Sequence, residues 1–302
     1  MTLQAVKGHG TRNDFVLLDD RDGALDLTPD LVRALADRHG GVGGDGVIRL
    51  VASDRLGDGT LAPGSRWFMD YRNADGSLAQ MCGNGVRVFA AWLERLGLWD
   101  PHTGELVVGT RAGTRRVRKE PGEGESWYAV DMGAWVLPGG DDAVAAGGDV
   151  EVAVSGLPVA RPALRVSVGN PHVVLVVASE DELEAADLTA APAVTPEGQE
   201  GQNVELVLPL PEETGPDGER IGVIRMRVHE RGVGETASCG TGACAAALAI
   251  RAWGGDGAPD VWFVEVPGGT LRVTALPGGH VELAGPAVLV ADVSVDLDAL
   301  AG

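Results

Sequence analysis

The sequence predicts an α+β chain built as two duplicated halves, and three observations carry that prediction. Short β-like runs punctuated by Gly, Pro and Asp far outnumber helical stretches. Two apolar helical stretches each follow a Cys-Gly-x-Gly motif, at Cys82 and at Cys239. Those motifs stand 157 positions apart (239 − 82), and the same offset carries other residues onto matching ones.

Strands are expected at 15–18, 47–51, 67–71, 106–108 and 127–132, then at 163–168, 173–177, 204–208, 221–229, 261–266 and 281–283. The 221–229 run is apolar on both faces in part, which suits a central strand. A helix over 31–38 follows the start signal Thr28-Pro29-Asp30. Two more are expected over 86–96 and 243–253. The offset maps Asn13 to Asn170, Phe15 to His172, Gly46 to Asn203, Asn73 to Glu230, and Gly83 and Gly85 to Gly240 and Gly242. A Gly/Asp/Ala-rich stretch, 139–149, reads as a loop between the halves.

With 302 residues, 44% of them hydrophobic and 4% aromatic, each half can build a core, mostly from Val, Leu and Ala. A net charge of −20 and no dense basic patch argue against a nucleic-acid partner. The small basic run Arg115, Arg116, Arg118 and Lys119 alternates around Val117, as one exposed strand face would. The longest apolar run, 173–178, is too short to span a bilayer, and no secretory signal pattern opens the chain, so a cytoplasmic location without membrane attachment is expected. Three cysteines do not make a disulfide framework, and free thiols are expected.

A thiol at a helix N-terminus meets unpaired backbone N–H groups and the positive end of the macrodipole, which favour its thiolate. The same N–H groups can hold a carboxylate, and the glycines let a ligand approach closely. Two such motifs can clamp one α-carboxylate and set a base on one face of the α-carbon and an acid on the other. That arrangement inverts a stereocentre. Cys244, inside the Ala-rich helix, reads as a small buried hydrophobe. Spacing offers no metal site, since the cysteines are not closely paired and no His pair accompanies them. A Cys239–His172 hydrolase would leave Cys82 idle. The two lysines, Lys7 and Lys119, sit poorly for a Schiff base, so no cofactor is expected. The cluster Gly41-Val42-Gly43-Gly44-Asp45-Gly46 reads as a loop rather than a nucleotide cradle.

At these residues the chain resembles the diaminopimelate epimerase family. Gln80-Met81-Cys82-Gly83-Asn84-Gly85 is similar to its first cysteine motif, and the long stretch from Glu230-Arg231-Gly232 through Ser238-Cys239-Gly240-Thr241-Gly242 to its second. Asn13-Asp14-Phe15-Val16, Asn73-Ala74-Asp75-Gly76-Ser77, Gly169-Asn170-Pro171-His172 and Pro267-Gly268-Gly269 also match, so the likeness spans about residues 8–285. It implies two pseudo-symmetric halves, each a mixed or antiparallel sheet wrapped around a central helix. Their expected bounds are 1–132 with 287–302, and 133–286. It implies interconversion of LL- and meso-diaminopimelate in lysine and peptidoglycan precursor synthesis, no cofactor, and a homodimer.

The resemblance makes Cys82 and Cys239 the acid/base pair. Gly83, Asn84, Gly240 and Thr241 would donate to the reacting carboxylate. Asn13, Asn73, Asn170, Asn203, Glu230 and Arg231 would contact substrate, and His172 and Glu230 would tune the thiols. A distal carboxylate suits Arg231, and an ammonium suits Glu230. Many relatives carry Gln where this chain has Gly46, so a polar contact near Asn13 is missing. Thr241 stands where Ser is common. Proline or hydroxyproline racemases share the two-thiol logic but tend to carry His at the place of Asn84. The phenazine-type branch lacks the thiol pair. A redox-sensing or ligand-binding protein with an oxidisable pair is the non-enzymatic alternative.

Overall fold

The computed structural model describes residues 2–56, 62–121, 125–196, 198 and 201–300. The chain divides into two compact units, one formed by 1–131 with 285–302 and the other by 132–284.

The first unit contains β1 (Thr2–Gly10), β2 (Asn13–Asp19), α1 (Pro29–Ala36), β3 (Gly46–Ala52), β4 (Trp67–Asn73), α2 (Gly83–Arg95), β5 (Leu106–Thr110), β6 (Gly113–Lys119) and β7 (Trp127–Ala134). A C-terminal strand, Val288–Asp296, completes it. That strand pairs antiparallel with β1, and the sheet continues through β2 to β7 in chain order. Two of these pairings, β2/β3 and β4/β5, are parallel; the rest are antiparallel. Period-two alternation divides the side chains of β2 and β3 between two cores. Val16, Leu18 and Val47 pack with Val32 and Leu35 of α1. Phe15 and Ile48 point the other way, toward the start of α2. Helix α2 packs on β1, β2, β4, β6 and the C-terminal strand, and its residues from Gly83 to Leu93 are all buried. A helix enclosed on every side can be apolar all round.

The second unit contains α3 (Gly140–Ala145), β8 (Val150–Ala153), β9 (Arg161–Ser167), β10 (Pro171–Val176), α4 (Glu180–Ala185), β11 (Ala193–Thr195), β12 (Asn203–Thr214), β13 (Arg220–Glu230), β14 (Gly234–Thr236), α5 (Gly240–Gly254), β15 (Val261–Val266), β16 (Gly269–Leu276) and β17 (His280–Pro286). Its sheet runs β11, β8, β9, β10, β12, β13, β15, β16, β17, with β14 also on β13. Here β10/β12 and β13/β15 are the parallel pairs. From β9 to β17, without β11 and β14, the succession of parallel and antiparallel pairings is that of β1 to β7. The register agrees as well. Phe15 pairs with Gly46, and His172 pairs with Asn203, each residue 157 positions beyond its counterpart. Helix α5 packs on β9, β10, β12, β13, β15 and β16. Its buried face is built from Ala243, Cys244, Ala245, Ala246, Ala247 and Ala249, small enough for strands to close in.

The structure corrects several expectations. The stretch 139–149 holds the short helix α3 rather than only a loop, with Asp141 and Asp142 in its first turn. Helices α2 and α5 begin three residues earlier than expected, at Gly83 and Gly240. The basic run lies on β6 as expected of a strand, yet Arg116 alone of its four residues is exposed; Arg118 pairs with Glu120 and Lys119 with Glu94. Among the described residues, no helix is long and apolar enough to cross a membrane.

Candidate active site

Because the helices start early, each cysteine is an N-cap. Cys82 has extended backbone (φ −142°, ψ 119°), and its Sγ accepts from Gly85 N at 3.4 Å. Cys239 repeats this (φ −118°, ψ 115°), with Gly242 N 3.3 Å from its Sγ. The amide at this position of a helix has no intrahelical acceptor, so the sulfur takes a place usually filled by a Ser or Asp oxygen. The first-turn amides of Gly83, Asn84, Gly240 and Thr241 belong to the same unpaired set. All three cysteines carry free thiols, and Cys244 is fully buried in α5.

In the first unit, Cys82 Sγ donates to Asn13 Oδ1 at 3.5 Å, and Asn84 Nδ2 donates to the same oxygen at 3.2 Å. Asn13 Nδ2 in turn donates to Asp45 Oδ2 at 2.7 Å. Asn73 stands outside this group of bonds, its Nδ2 donating to Ser77 Oγ at 3.0 Å. Gly46 faces no open space. A Cβ there would lie 2.4 Å from Arg72 O and 2.5 Å from Tyr71 Cε2, so Tyr71 and the β4 backbone fill the place of a side chain at this position. The Tyr71 ring is fixed edge-on to Phe15, with centroids 5.7 Å apart.

The second unit surrounds its thiol differently. His172 Nδ1 lies 2.6 Å from Glu205 Oε1, and both side chains are buried. His172 Nε2 lies 3.1 Å from Asn170 Oδ1. Asn170 Nδ2 donates to Thr241 Oγ1 at 3.3 Å, and that hydroxyl is 3.6 Å from Cys239 Sγ. Glu230 receives a bond from Thr236 Oγ1 at 2.5 Å and one from the Cys239 thiol. Asn203 Oδ1 accepts from Arg231 N at 2.9 Å, which fixes the turn that presents the exposed Arg231 side chain. Burial pushes the Cys239 thiol well up, and the carboxylates of Glu230 and Glu205 push it further, against opposing bonds from Thr241 and Gly242 N. Burial also raises Glu230, and the neighbouring Glu205 adds to this.

The structure thus gathers Cys82, Asn84 and Asn13 in one unit, and Cys239, Thr241, Asn170, His172, Asn203 and Glu230 in the other. Asp45, Thr236, Tyr71 and Glu205 were not anticipated. Glu205 left one signal: a carboxylate inside the apolar run Val204-Glu205-Leu206-Val207-Leu208. Among the described residues, no group of three or more His, Cys, Asp or Glu is placed to hold a metal.

Comparison with known proteins decides the family. The chain matches diaminopimelate epimerase over residues 5–138 and 164–290. It belongs to the diaminopimelate epimerase family. A diaminopimelate epimerase of Streptomyces coelicolor is 45% identical over 96% of this chain and 94% of its own. One from Thermobifida fusca is 44% identical over 99% and 100%. Among solved structures, a phenazine biosynthesis protein of the PhzF family from Bacillus anthracis superposes with a TM-score of 0.67 at 16% identity, covering 98% of this chain and 100% of that one. A probable proline racemase from Agrobacterium radiobacter gives 0.62 at 14%, covering 98% and 93%. At those identities the likeness is one of fold, and the diaminopimelate epimerase family shares its α+β architecture with both.

Proposed function

We infer that this chain interconverts LL- and meso-diaminopimelate by moving a proton at one α-carbon between two thiols, without a cofactor. The observation that carries the reading is the repeated N-cap: one cysteine opens each enclosed helix, with its sulfur on a first-turn amide. In one direction Cys82, as thiolate, takes the α-proton from one face while Cys239 gives its thiol proton to the other. The C–H bond breaks at one face, a new one forms at the opposite face, and the thiolate is left on Cys239. In the other direction the roles exchange. Cys239 suits the donor role, since burial and two carboxylates keep its proton on.

The substrate α-carboxylate accepts from the amides of Gly83, Asn84, Gly240 and Thr241, which stabilise the charge that develops as the α-proton leaves. Asn13, Asn73, Asn170 and Asn203 bind and orient it, Arg231 holds the distal carboxylate, and Glu230 faces an ammonium group while tuning the thiol with His172. The product serves lysine and peptidoglycan precursor synthesis in the cytoplasm, and the enzyme works as a homodimer.

Turnover in D2O tests this. Diaminopimelate should gain deuterium at the inverted α-carbon, and proline and hydroxyproline isomers should not. Cys82→Ala and Cys239→Ala should each abolish inversion. Full activity in either variant overturns the two-thiol scheme, and preferential turnover of proline or hydroxyproline overturns the substrate.

A further inference from the structure

The register shared by the two units makes their interiors comparable residue by residue, and at one place they differ in kind. Beside Cys82, the start of α2 meets Phe15 and Ile48: a Cβ on Gly85 would lie 3.2 Å from Ile48 Cδ1 and 3.6 Å from Phe15 Cζ. The offset of 157 carries Phe15 to His172 and Ile48 to Glu205. Beside Cys239, a Cβ on Gly242 would lie 2.8 Å from Glu205 Oε1 and 3.2 Å from Cys239 Sγ. An apolar pair in one unit is thus an acid–imidazole pair in the other.

Glu205 is completely buried, and its Oε1 is bonded to His172. Burying a carboxyl group is costly even when it is bonded, and at the equivalent place the first unit fills its interior with Ile48. Its bonded oxygen starts a chain that ends at the sulfur: Glu205 Oε1 to His172 Nδ1, His172 Nε2 to Asn170 Oδ1, Asn170 Nδ2 to Thr241 Oγ1, and Thr241 Oγ1 to Cys239 Sγ. Each link fixes the next. Nε2 must carry hydrogen to donate to Asn170 Oδ1. That sets the Asn170 amide so that its NH2 faces Thr241. The threonine hydroxyl, accepting from Asn170, then has its own hydrogen to offer the sulfur.

We propose that Glu205 is a positioning residue for Cys239: through His172, Asn170 and Thr241 it orients the hydroxyl donor to the sulfur, and it sets a carboxylate against the first turn of α5, where the first unit has Ile48. The proposal rests on Cys239 being an acid/base of the reaction. The groups facing Cys239 are Glu205 from β12, Glu230 from β13, the Gly242 amide and Thr241 hydroxyl from α5, and, through Asn170, His172 from β10. Glu205 and Glu230 are the carboxyl groups among them and oppose ionisation of the thiol, and His172 stands against Glu205 as its partner, so removing Glu205 alone lowers that opposition more than removing the pair together.

The test follows iodoacetamide alkylation of each cysteine across pH, resolved by peptide mass spectrometry, in the full-length protein and in two variants. Glu205→Gln keeps the shape and a bond to Nδ1 but removes the charge. The double variant His172→Phe with Glu205→Ile installs the interior of the first unit. In Glu205→Gln the alkylation midpoint of Cys239 should fall by about one pH, a typical effect of one nearby charge, and in the double variant, which removes the imidazole partner as well, it should fall by less, while that of Cys82 stays in both. The alkaline limb of the kcat/KM profile should move with Cys239. A Cys239 midpoint unchanged in a folded variant, or equal shifts at both cysteines, overturns the proposal. Alkylation does not require turnover. A shift at Cys239 together with full activity of Cys239→Ala would therefore count against the two-thiol reaction and leave the electrostatic role standing.

Discussion

Gly85 and Gly242 occupy the same turn of equivalent helices, yet a methyl group meets different neighbours at each. At Gly85 the nearest atoms are the flexible end of Ile48 and the Cys82 Cβ, at 3.2 and 3.4 Å. At Gly242 they are a buried carboxylate oxygen at 2.8 Å and the sulfur itself at 3.2 Å. Ile48 can rotate away, whereas Glu205 is tied to His172. Gly242→Ala should therefore cut kcat by about a hundredfold, the scale of a mispositioned catalytic group, and Gly85→Ala by much less. Steady-state rates of the two variants, with circular dichroism to confirm folding, decide it. Similar losses in both would show that the carboxylate does not constrain the turn.

Several elements converge near Asn13. Lys7 from β1, Arg38 beyond α1 and Asp45 before β3 all meet around Asp14 on β2. Lys7 Nζ lies 2.6 Å from Asp14 Oδ2, and Arg38 grips both carboxylate oxygens at 2.8 and 2.9 Å. Burial alone would raise Asp14, but these two cations hold it down at about 2. A carboxyl lowered by folding stabilises the native state above its unfolded pKa and ceases to do so as pH falls through the folded value. The contribution, on the order of 2 kcal/mol, should thus be complete above about pH 5 and vanish as pH drops toward 2. Urea midpoints should fall more steeply across that window in the native protein than in Asp14→Asn. Parallel slopes would refute it.

Much at this scale was readable beforehand. The apolar runs that became β2, β3, β10 and the first halves of β12 and β13 are buried on both faces, and burial writes itself into composition. Strand β1 and the strand Val288–Asp296 were missed because polar residues and Gly interrupt the first, while the second is largely exposed. The cysteines, asparagines and Glu230 announced themselves through motif and offset. Glu205 and Tyr71 did not, because each is brought near its neighbours by strand pairing rather than by sequence spacing.

At the level of the molecule, the offset of 157 carries one topology twice, and charge is spent unevenly between the copies. The first unit buries Asp70 among Arg49 at 2.6 Å, Arg111 at 2.6 Å and Arg72 at 3.5 Å. The second places its buried anions beside a thiol. The units differ also in how the chain closes them. Residues 132–284 form one uninterrupted unit, whereas the other needs its strand Val288–Asp296 to pair with β1 at the opposite end of the sequence. On the ribosome, that later segment can join its sheet only after the whole intervening unit has been made. The inner unit can therefore mature while its host still waits with an unpaired edge. Removing residues 288–296 should leave the amides of β10 and β12 protected from hydrogen exchange and expose those of β1. Equal loss of protection throughout would mean that the two portions acquire structure as one.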